Sequence, residues 1–496
     1  MPEVPSPHNQ EALDELCRLL RFSHGEFALI LAVCNSTRHR QALVSELKQQ
    51  CAVPFDEIIL APTATTLFTT VSAYINNANP EALMVYGLNE VRNSEQLLTA
   101  TNQIREEFRE FSFPLVLWLT DSDLKHLIRT APDFYTWANP ITFETPATFF
   151  LSFIDEVIQN VWQRITQTQE NRFLTPEDLG LTPDSAGYKE LETSLAALAD
   201  QNIQLSPFQA ADLEFVRGRI ADNNSPTARQ HYEYSLERWQ TLVTGNDDAP
   251  RWQEKMGHVQ FYLGFWWRNH AERHRPDFEL AFSEARKYFL AAIETFEGIG
   301  DPSASGTSPA ITPLAHAPRA IGEEKTLSRG QVLAARYINY LAEALHRLEQ
   351  WVDLETIATK AKTLHQQLQN PFRVARAEGF LAEVALAKED WTAAQHHAET
   401  ALGLIQPAEA PTNDPEKMAF YHWINSFHRS WYLFSLGKAQ FQQQDLDAAV
   451  TSLENALIVA QPDYDPKLYS LVLAQLQQCY FQQGLYLYAF ETRRQR

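Results

Sequence analysis

A pattern of small and large side chains recurs along the second half of the chain, and it constrains the fold more than any other feature. Residues 437–457 carry it most clearly. The small residues Gly437, Ala449 and Ala456 lie on either side of a turn at Asp445. Small residues at these intervals let two consecutive helices approach closely. Because one such hairpin cannot bury its apolar face alone, its repetition indicates a stacked helical array.

The spacing of the pattern is typical of tetratricopeptide (TPR) repeats. The first small residue is Ala342, Ala382 and Gly437 in successive copies, and Gln477 holds the equivalent place in the last, so the spacings are 40, 55 and 40 residues. The minimal repeat has about 34 residues, and the excess falls between hairpins. The sequence therefore predicts a TPR-like α-solenoid over residues 226–496. We expect its last repeat to be incomplete, because no polar capping helix follows, and the chain to be the front part of a longer protein.

Residues 11–170 follow a different rhythm, in which short apolar runs alternate with helical patterns. The runs cover residues 27–33, 57–60, 82–87, 114–120 and, more weakly, 141–143. Such alternation is typical of a parallel sheet with helices on both faces, and continuous apolar runs fit strands that are buried on both sides. We therefore predict an α/β domain ahead of the all-α array.

The remaining segments complete the predicted domain organisation. Residues 1–10 are expected to be a disordered start. Residues 171–225 are expected to be a helical connector between the two domains. Residues 300–328 are expected to be a mobile surface loop within the array, because their first part is rich in proline, serine and glycine.

Composition limits the classes of function. The chain has 496 residues and a net charge of −21, which argues against binding to a nucleic-acid backbone through clustered Lys and Arg. No apolar stretch reaches the length of a membrane span, and the N-terminus lacks a secretory signal. The four cysteines form no CxxC pair and no disulfide framework. We expect a cytoplasmic protein.

The loop after the first predicted strand departs from the phosphate-binding loop that such a sheet suggests. A P-loop needs glycines whose backbone N–H groups cradle phosphates and a lysine that reaches the terminal ones. Residues 33–40 contain neither glycine nor lysine. Ser36 and Thr37 can be read as a surviving hydroxyl or as the N-cap of the next helix, and we favour the N-cap.

Two other positions also depart from the NTPase pattern. The third strand lacks its terminal Asp, and Glu90 is displaced by a short loop. Asp121 follows the fourth strand, where a polar sensor residue would lie, but it suits a helix N-cap equally well. We predict a degenerate P-loop NTPase-like domain with no catalytic residues and no cofactor. The candidate residues of its degenerate nucleotide loop are Asn35, Ser36, Thr37, Arg38, Arg40, Glu90 and Asp121.

The runs LLRFSHGEFALILAVCNSTRHR, ALMVYGLNEV and LKHLIRTAPDFYTWA resemble the N-terminal region of large cyanobacterial signalling proteins of the STAND class, the signal-transducing ATPases with numerous domains. The resemblance is most specific over residues 19–145 and 429–490. It implies an opening domain like an inactive NTPase, then TPR-like repeats. Longer members continue into an intact NTPase module and a WD-repeat propeller. Because that NTPase motif is missing here, the resemblance implies signal transduction without ATPase activity.

Two other groups of residues have alternative interpretations. His270 and His274 have the spacing of metal ligands on a helix, but no third ligand accompanies them, so no metal site is predicted. The aromatic residues within 261–267 are interpreted mainly as array core, with an exposed anchor for a partner as the alternative.

The inner helices of such an array line a concave groove, which is the predicted binding surface. Its candidate residues are Arg336, Asn339, Glu343, Arg376, Glu383, Trp431, Phe434 and Lys438. Arginine and aromatic side chains suit a peptide with an acidic or carboxylate end. The alternatives are a solvated groove, or one filled by a missing C-terminal region of the same protein. The sequence predicts a non-enzymatic interaction scaffold. The alternative is a nucleotide-binding sensor without hydrolysis, using Arg38 and Arg40.

Overall fold

The computed structural model describes residues 6–76, 78–167, 174–183, 185–221, 224–243, 249–299, 327–405, 415–460 and 465–495. The chain divides into two compact units, residues 1–221 and 222–496. Two predictions fall largely outside the described residues: the mobile loop, as far as residue 326, and the first five residues of the disordered start.

The first unit is built on a five-stranded parallel sheet, as the apolar runs predict. Its strands are β1 (Ala28–Val33), β2 (Asp56–Ile59), β3 (Leu83–Tyr86), β4 (Pro114–Leu119) and β5 (Ala138–Thr142). The strand order is β2-β3-β4-β1-β5, and every neighbouring pair is parallel. The predicted runs match the strands to within one residue at each end, except that β5 begins three residues before its weak run.

Ten helices are described in this unit. They are α1 (Pro7–Phe22), α2 (Thr37–Gln50), α3 (Leu67–Ile75), α4 (Ser94–Gln103), α5 (Asp121–Thr130), α6 (Pro132–Tyr135), α7 (Ala147–Gln167), α8 (Pro176–Leu179), α9 (Ala186–Asp200) and α10 (Pro207–Ile220). Because α1 begins at Pro7, residues 7–10 are helical and do not belong to a disordered start. Ser6 caps this helix and proline occupies its first position, where the missing N–H costs nothing. The two predicted connector helices, α9 and α10, lie within the first unit.

Helices cover both faces of the sheet because alternate strand residues point to opposite sides. Leu29 and Leu31 of β1 belong to the core beneath α3–α6, whereas Ile30 and Ala32 belong to the core beneath α1 and α2. All six residues of β4 are buried. This two-sided burial explains why the strands read as continuous apolar runs.

The second unit is helical throughout its described residues. Its helices are α11 (Pro226–Val243), α12 (Ala249–Arg273), α13 (Phe278–Glu297), α14 (Arg329–Arg347), α15 (Trp351–Gln367), α16 (Pro371–Ala387), α17 (Trp391–Leu404), α18 (Pro415–Gln442), α19 (Leu446–Val459), α20 (Pro466–Gln482) and α21 (Tyr486–Gln495). From α12 onward they pair as the predicted series of helical hairpins.

The small residues of the repeat pattern lie where the helices approach most closely. A Cβ atom added to Gly437 would lie 2.6 Å from Cγ of Leu453, on the partner helix of the hairpin. Ala449 and Ala456 of that helix have no exposed surface. The hairpin α18–α19 therefore depends on the small side chains from which it was predicted.

Candidate functional site

The predicted nucleotide loop lies at the carboxyl end of β1, the edge of a doubly wound sheet where ligands bind. Ser36 is buried, and its hydroxyl accepts a hydrogen bond from the backbone N–H of His39 at 3.3 Å. Ser36 is thus the N-cap of α2, and Thr37 is the first residue of that helix. Of the two hydroxyl residues, Ser36 has the capping role favoured from the sequence.

Asn35 joins this loop to the carboxyl end of β4. Its side-chain oxygen accepts a hydrogen bond from the backbone N–H of Asp121 at 2.9 Å, and its amide donates to the Asp121 carboxylate. The sequence allowed Asp121 to be the N-cap of α5, but it is the first residue of that helix. Thr120 is the cap, in a capping box with Asp123. The side chain of Asp121 points instead to Asn35, so the two strand ends are joined by side-chain contacts.

A carboxylate from a distant helix lies at the N-terminus of α2. Glu190 of α9 accepts a hydrogen bond from the backbone N–H of Thr37 at 2.9 Å. The free N–H groups and the dipole of a helix N-terminus favour a negative group, and a P-loop places phosphate there. In this fold the side chain of Glu190 supplies the negative group.

Replacing Glu190 with alanine is expected to lower the free energy of unfolding of the first unit by about 1–2 kcal/mol, because Thr37 and the helix dipole lose a charged acceptor. Urea denaturation followed by circular dichroism measures the change. Glu192→Ala is the matched control, since Glu192 is exposed on the same helix. Equal effects of the two substitutions would contradict the structural role given to Glu190.

The two arginines of the loop lie in different surroundings. Arg38 forms an ion pair with Glu156 of α7. The guanidinium of Arg40 lies over the ring of Tyr86, 4.9 Å from its centroid. Glu90 is exposed, at the end of a short 3₁₀ turn after β3. The structure therefore brings Asn35 and Asp121 together, but neither Arg40 nor Glu90 contacts them.

Arg40 and Glu90 instead line a cavity of about 370 Å³ between α2 and the carboxyl ends of β2 and β3. Lys48 forms an ion pair with Glu57 in its wall, and the Tyr86 hydroxyl donates to Glu57 at 2.9 Å. Burial alone would raise the pKa of Glu57, but the hydrogen bonds from Lys48 and Tyr86 outweigh it and hold the pKa below its usual value. The polar side chains of Lys48, Glu57 and Tyr86 in the cavity wall thus bind one another.

A buried polar cluster lies behind the loop. The thiol of Cys34 is 3.6 Å from Nδ1 of His39, and Thr145 Oγ1 lies 3.3 Å from the same nitrogen. Burial lowers the pKa of His39 to about 4 and raises the pKa of Cys34. The cluster therefore places a buried imidazole next to a buried thiol.

In the second unit, an ion-pair ladder crosses the predicted groove. Glu343 of α14 is 2.7 Å from Arg268 of α12 and 3.1 Å from Arg376 of α16. Burial would raise the pKa of Glu343, but the two guanidinium groups lower it to about 2. This carboxylate therefore joins three successive inner helices.

A second bridge links α14, α16 and α18. The Ser435 hydroxyl donates to Glu383, and His346 lies 3.8 Å from the other carboxylate oxygen. Burial would raise the pKa of Glu383, but His346, Ser435 and Lys438 together hold it below its usual value. The charge of Lys438 on α18 thus acts on Glu383 of α16.

The other groove candidates divide into surface and interior residues. Arg336 is half-buried, with its guanidinium over the ring of Tyr337. Trp431 and Phe434 are half-buried, with ring centroids 6.2 Å apart, and Trp431 Nε1 donates to Asp465 at 3.1 Å. Asn339 does not line the groove, because it is buried 3.3 Å from His365 of α15.

The aromatic residues within 261–267 lie mainly in the array core, and His270 and His274 contact each other. Phe261, Tyr262 and Trp266 are buried, as expected of array core. The rings of His270 and His274 stack at 4.3 Å. Across the part of the chain that the structure describes, no cluster of three or more His, Cys, Asp or Glu side chains is suited to hold a metal.

Within the described ranges, no helix has both the length and the apolar character needed to span a membrane.

Comparison with known proteins leaves the family open. No protein-family model matches the sequence, and no curated protein is detectably similar to it. A number of solved structures show a distant likeness, and three of them illustrate its extent. Apo RapI is 12% identical, with a TM-score of 0.39 over 70% of this chain and 97% of its own. BtubC (BKLC) from P. vanneervenii is 15% identical, with a TM-score of 0.33 over 64% and 91%.

The third is PH0952 from Pyrococcus horikoshii, described as a STAND protein with a tetratricopeptide repeat sensor. It is 11% identical, with a TM-score of 0.30 over 98% of this chain and 82% of its own. At TM-scores this low, none of the three bears on fold or function.

Proposed function

We propose that the protein is a non-enzymatic interaction scaffold of a signalling system, in which the helical array binds a protein partner through its groove. The observation that carries the proposal is the row of half-buried side chains on successive inner helices. Arg336, Arg376 and Trp431 hold equivalent positions on α14, α16 and α18. Each lies two helical turns before the second member of its helix, which is Glu343, Glu383 or Lys438.

The ion pairs within the row favour binding because they fix its geometry. Glu343 and Glu383 hold neighbouring helices together, so a partner would meet a preorganised surface and lose little further conformational entropy. Lys438 and Trp431 add a cation and an aromatic side chain, which suit an acidic peptide segment.

The nucleotide-sensor alternative is less well supported. Phosphate would have to displace Glu190 from the N–H of Thr37, and the carboxylates of Glu156 and Asp121 also engage the loop. Like charges at this edge would repel a polyphosphate. We therefore propose a cytoplasmic protein without ATPase activity, consistent with the resemblance to STAND-class signalling proteins.

A partner-capture experiment tests the groove. The full chain and an Arg336→Glu, Lys438→Glu double variant are used to recover proteins from lysate of the native host, followed by quantitative mass spectrometry. We expect the double variant to lose its partner about tenfold, because reversing two groove charges repels an acidic segment. Lys287→Glu is the control, since Lys287 is exposed on α13, and it should recover the partner normally.

Two results would refute the scaffold. One is equal recovery by the groove variant and the control. The other is ATP turnover by the purified protein that disappears when Ser36 and Arg38 are changed to alanine. Nucleotide binding without turnover would favour the sensor. At a hundredfold excess over its dissociation constant, the nucleotide would stabilise the protein by about 2.7 kcal/mol.

A further inference from the structure

The cavity between α2 and the carboxyl ends of β2 and β3 has the size of a small-molecule site. Its volume is about 370 Å³, and ligand pockets occupy about 300–1,000 Å³. In open α/β sheets, ligands bind at the carboxyl edge of the strands. The cavity can therefore accommodate one small molecule at the edge of the sheet where ligands are expected.

One face of α2 forms a wall of the cavity. Arg40, Val44 and Lys48 recur at intervals of four residues, so they lie on the same side of the helix. Gln41 and Ser45 lie beside them and also line the cavity. This wall therefore offers hydrogen-bond donors on either side of the apolar side chain of Val44.

Strand β2 forms a second wall. Glu57 and Ile59 are two positions apart, so they point to the same face of the sheet. Ile59 is 69% exposed although it is an apolar strand residue. The cavity thus has an apolar surface that a ligand can cover, and covering it would favour binding.

The charges of the lining divide into a paired and an unpaired set. Lys48 and Glu57 form an ion pair with each other. Arg40 and Glu90 also line the cavity, and across the residues that the structure describes no ion pair or hydrogen bond involves either of their side chains. The cavity therefore presents one unpaired cation and one unpaired carboxylate.

Arg40 is held in place without using its hydrogen-bond donors. Its guanidinium lies over the ring of Tyr86, 4.9 Å from the centroid, and Tyr86 is itself fixed by the hydrogen bond from its hydroxyl to Glu57. A guanidinium that stacks on a ring keeps the N–H groups at its rim free. Such a group suits a carboxylate, which it can bind through two parallel hydrogen bonds.

The balance of charge favours a zwitterion over an ion of one sign. Phosphate or a dicarboxylate would pair with Arg40 but would also face Glu57 and Glu90. A polyamine would pair with Glu90 but would face Arg40 and Lys48. Like charges at such short range repel. A molecule with one carboxylate and one ammonium group, in contrast, can satisfy Arg40 and Glu90 together.

We propose that the cavity binds a free amino acid with an apolar side chain. Its carboxylate pairs with Arg40, its ammonium group pairs with Glu90, and its side chain covers Ile59. The cavity belongs to the first unit and the groove to the second, and this proposal does not depend on the proposed function of the groove.

Isothermal titration calorimetry on the purified full chain tests the proposal, with each of the standard amino acids as the probe. We expect at least one apolar amino acid, such as leucine or isoleucine, to bind with a dissociation constant below about 1 mM. N-acetyl-leucine lacks the ammonium group and leucine amide lacks the carboxylate. Each should bind at least about tenfold more weakly than leucine, because one charged hydrogen-bonded contact is lost.

Two substitutions test the residues. Arg40→Gln and Glu90→Gln each remove one charge and keep a polar side chain, and each should weaken binding at least about tenfold. Glu90 is exposed, so its substitution leaves the fold undisturbed. Arg109→Gln is the matched control, because the Arg109 guanidinium also stacks on a ring, that of Trp137 at 4.6 Å, but does not line the cavity. Circular dichroism verifies that all three variants fold.

Four results would overturn the proposal. The first is that no amino acid binds at concentrations up to about 10 mM, ten times the expected limit. The second is that inorganic phosphate, succinate or spermidine binds more tightly than any amino acid. The third is that Glu90→Gln and Arg40→Gln bind as well as the wild type. The fourth is that Arg109→Gln weakens binding as much as they do.

Discussion

Replacement of Glu343 by glutamine is expected to lower the free energy of unfolding of the helical array by about 3–5 kcal/mol. The neutral amide keeps the shape of the side chain, but it leaves Arg268 and Arg376 without the carboxylate between them. Both arginines are more than three-quarters buried, so the lost attraction is little screened by water. Urea denaturation at neutral pH measures the change.

The same substitution should alter the response to acid. The pKa of Glu343 is lowered from its ordinary value of 4.5 to about 2 in the folded state. Its contribution is therefore fully present above the unfolded pKa and is lost as the pH falls from 4.5 through 2. We expect wild type and variant to differ by a constant amount between pH 6 and 8, and the difference to shrink as the pH falls from about 4.5 to about 2.

Glu355→Gln is the control, because Glu355 makes a comparable ion pair with Lys388 but is half exposed. An exposed pair contributes about 0–1 kcal/mol, so this variant should stay close to wild type. If Glu343→Gln were no more destabilising than Glu355→Gln at neutral pH, the ion pairs of Glu343 with Arg268 and Arg376 would not be what holds the inner helices together.

Gly437→Leu is expected to destabilise the array by about 3 kcal/mol or more, because overpacking forces the helices apart. A Cβ at Gly437 meets Leu453 Cγ at 2.6 Å and the Ala449 carbonyl oxygen at 3.2 Å. Leu453 has no exposed surface into which it could move. Hydrogen exchange should show the loss of protection concentrated in α18–α21.

Gly403→Leu separates this clash from the change in helix propensity. Gly403 lies in α17, and no atom lies within 4 Å of a Cβ added there. Leucine should be neutral or stabilising at that position, because glycine disfavours a helix by about 1 kcal/mol. If both variants were destabilised to the same extent, the close contact between Gly437 and Leu453 would not be the reason that a larger side chain is disfavoured at position 437.

The sequence predicts the features that depend on local patterns. The run at residues 27–33 identifies β1 because a strand buried on both faces is apolar at every position. The small residues Ala382 and Gly437 identify hairpins because only small side chains fit where two helices nearly touch. Ser36 is recognisable as a cap because its hydroxyl bonds a backbone N–H only three residues away.

The contacts that decide the candidate sites lie beyond local patterns. Glu190 follows Thr37 by 153 positions, and nothing near either residue indicates the pairing. Asn35 precedes Asp121, whose backbone N–H it binds, by 86 positions. The capping of α5 by Thr120, in contrast, follows the local spacing of Thr120 and Asp123. Asn339 and Arg336 are three positions apart on α14, so helical periodicity places them on nearly the same side of the helix. The sequence pattern therefore does not show that Asn339 is the one that contacts His365.

The order of the sheet has a consequence for the way the chain emerges from the ribosome. β1 is the first strand to be made, but its neighbours β4 and β5 are the last two. Long-range pairing of this kind slows folding. The apolar stretch of β1 must therefore wait, without a partner strand, until residues 114–142 have been synthesised. A nascent chain of this protein is most exposed to aggregation, and most in need of a chaperone, during that interval.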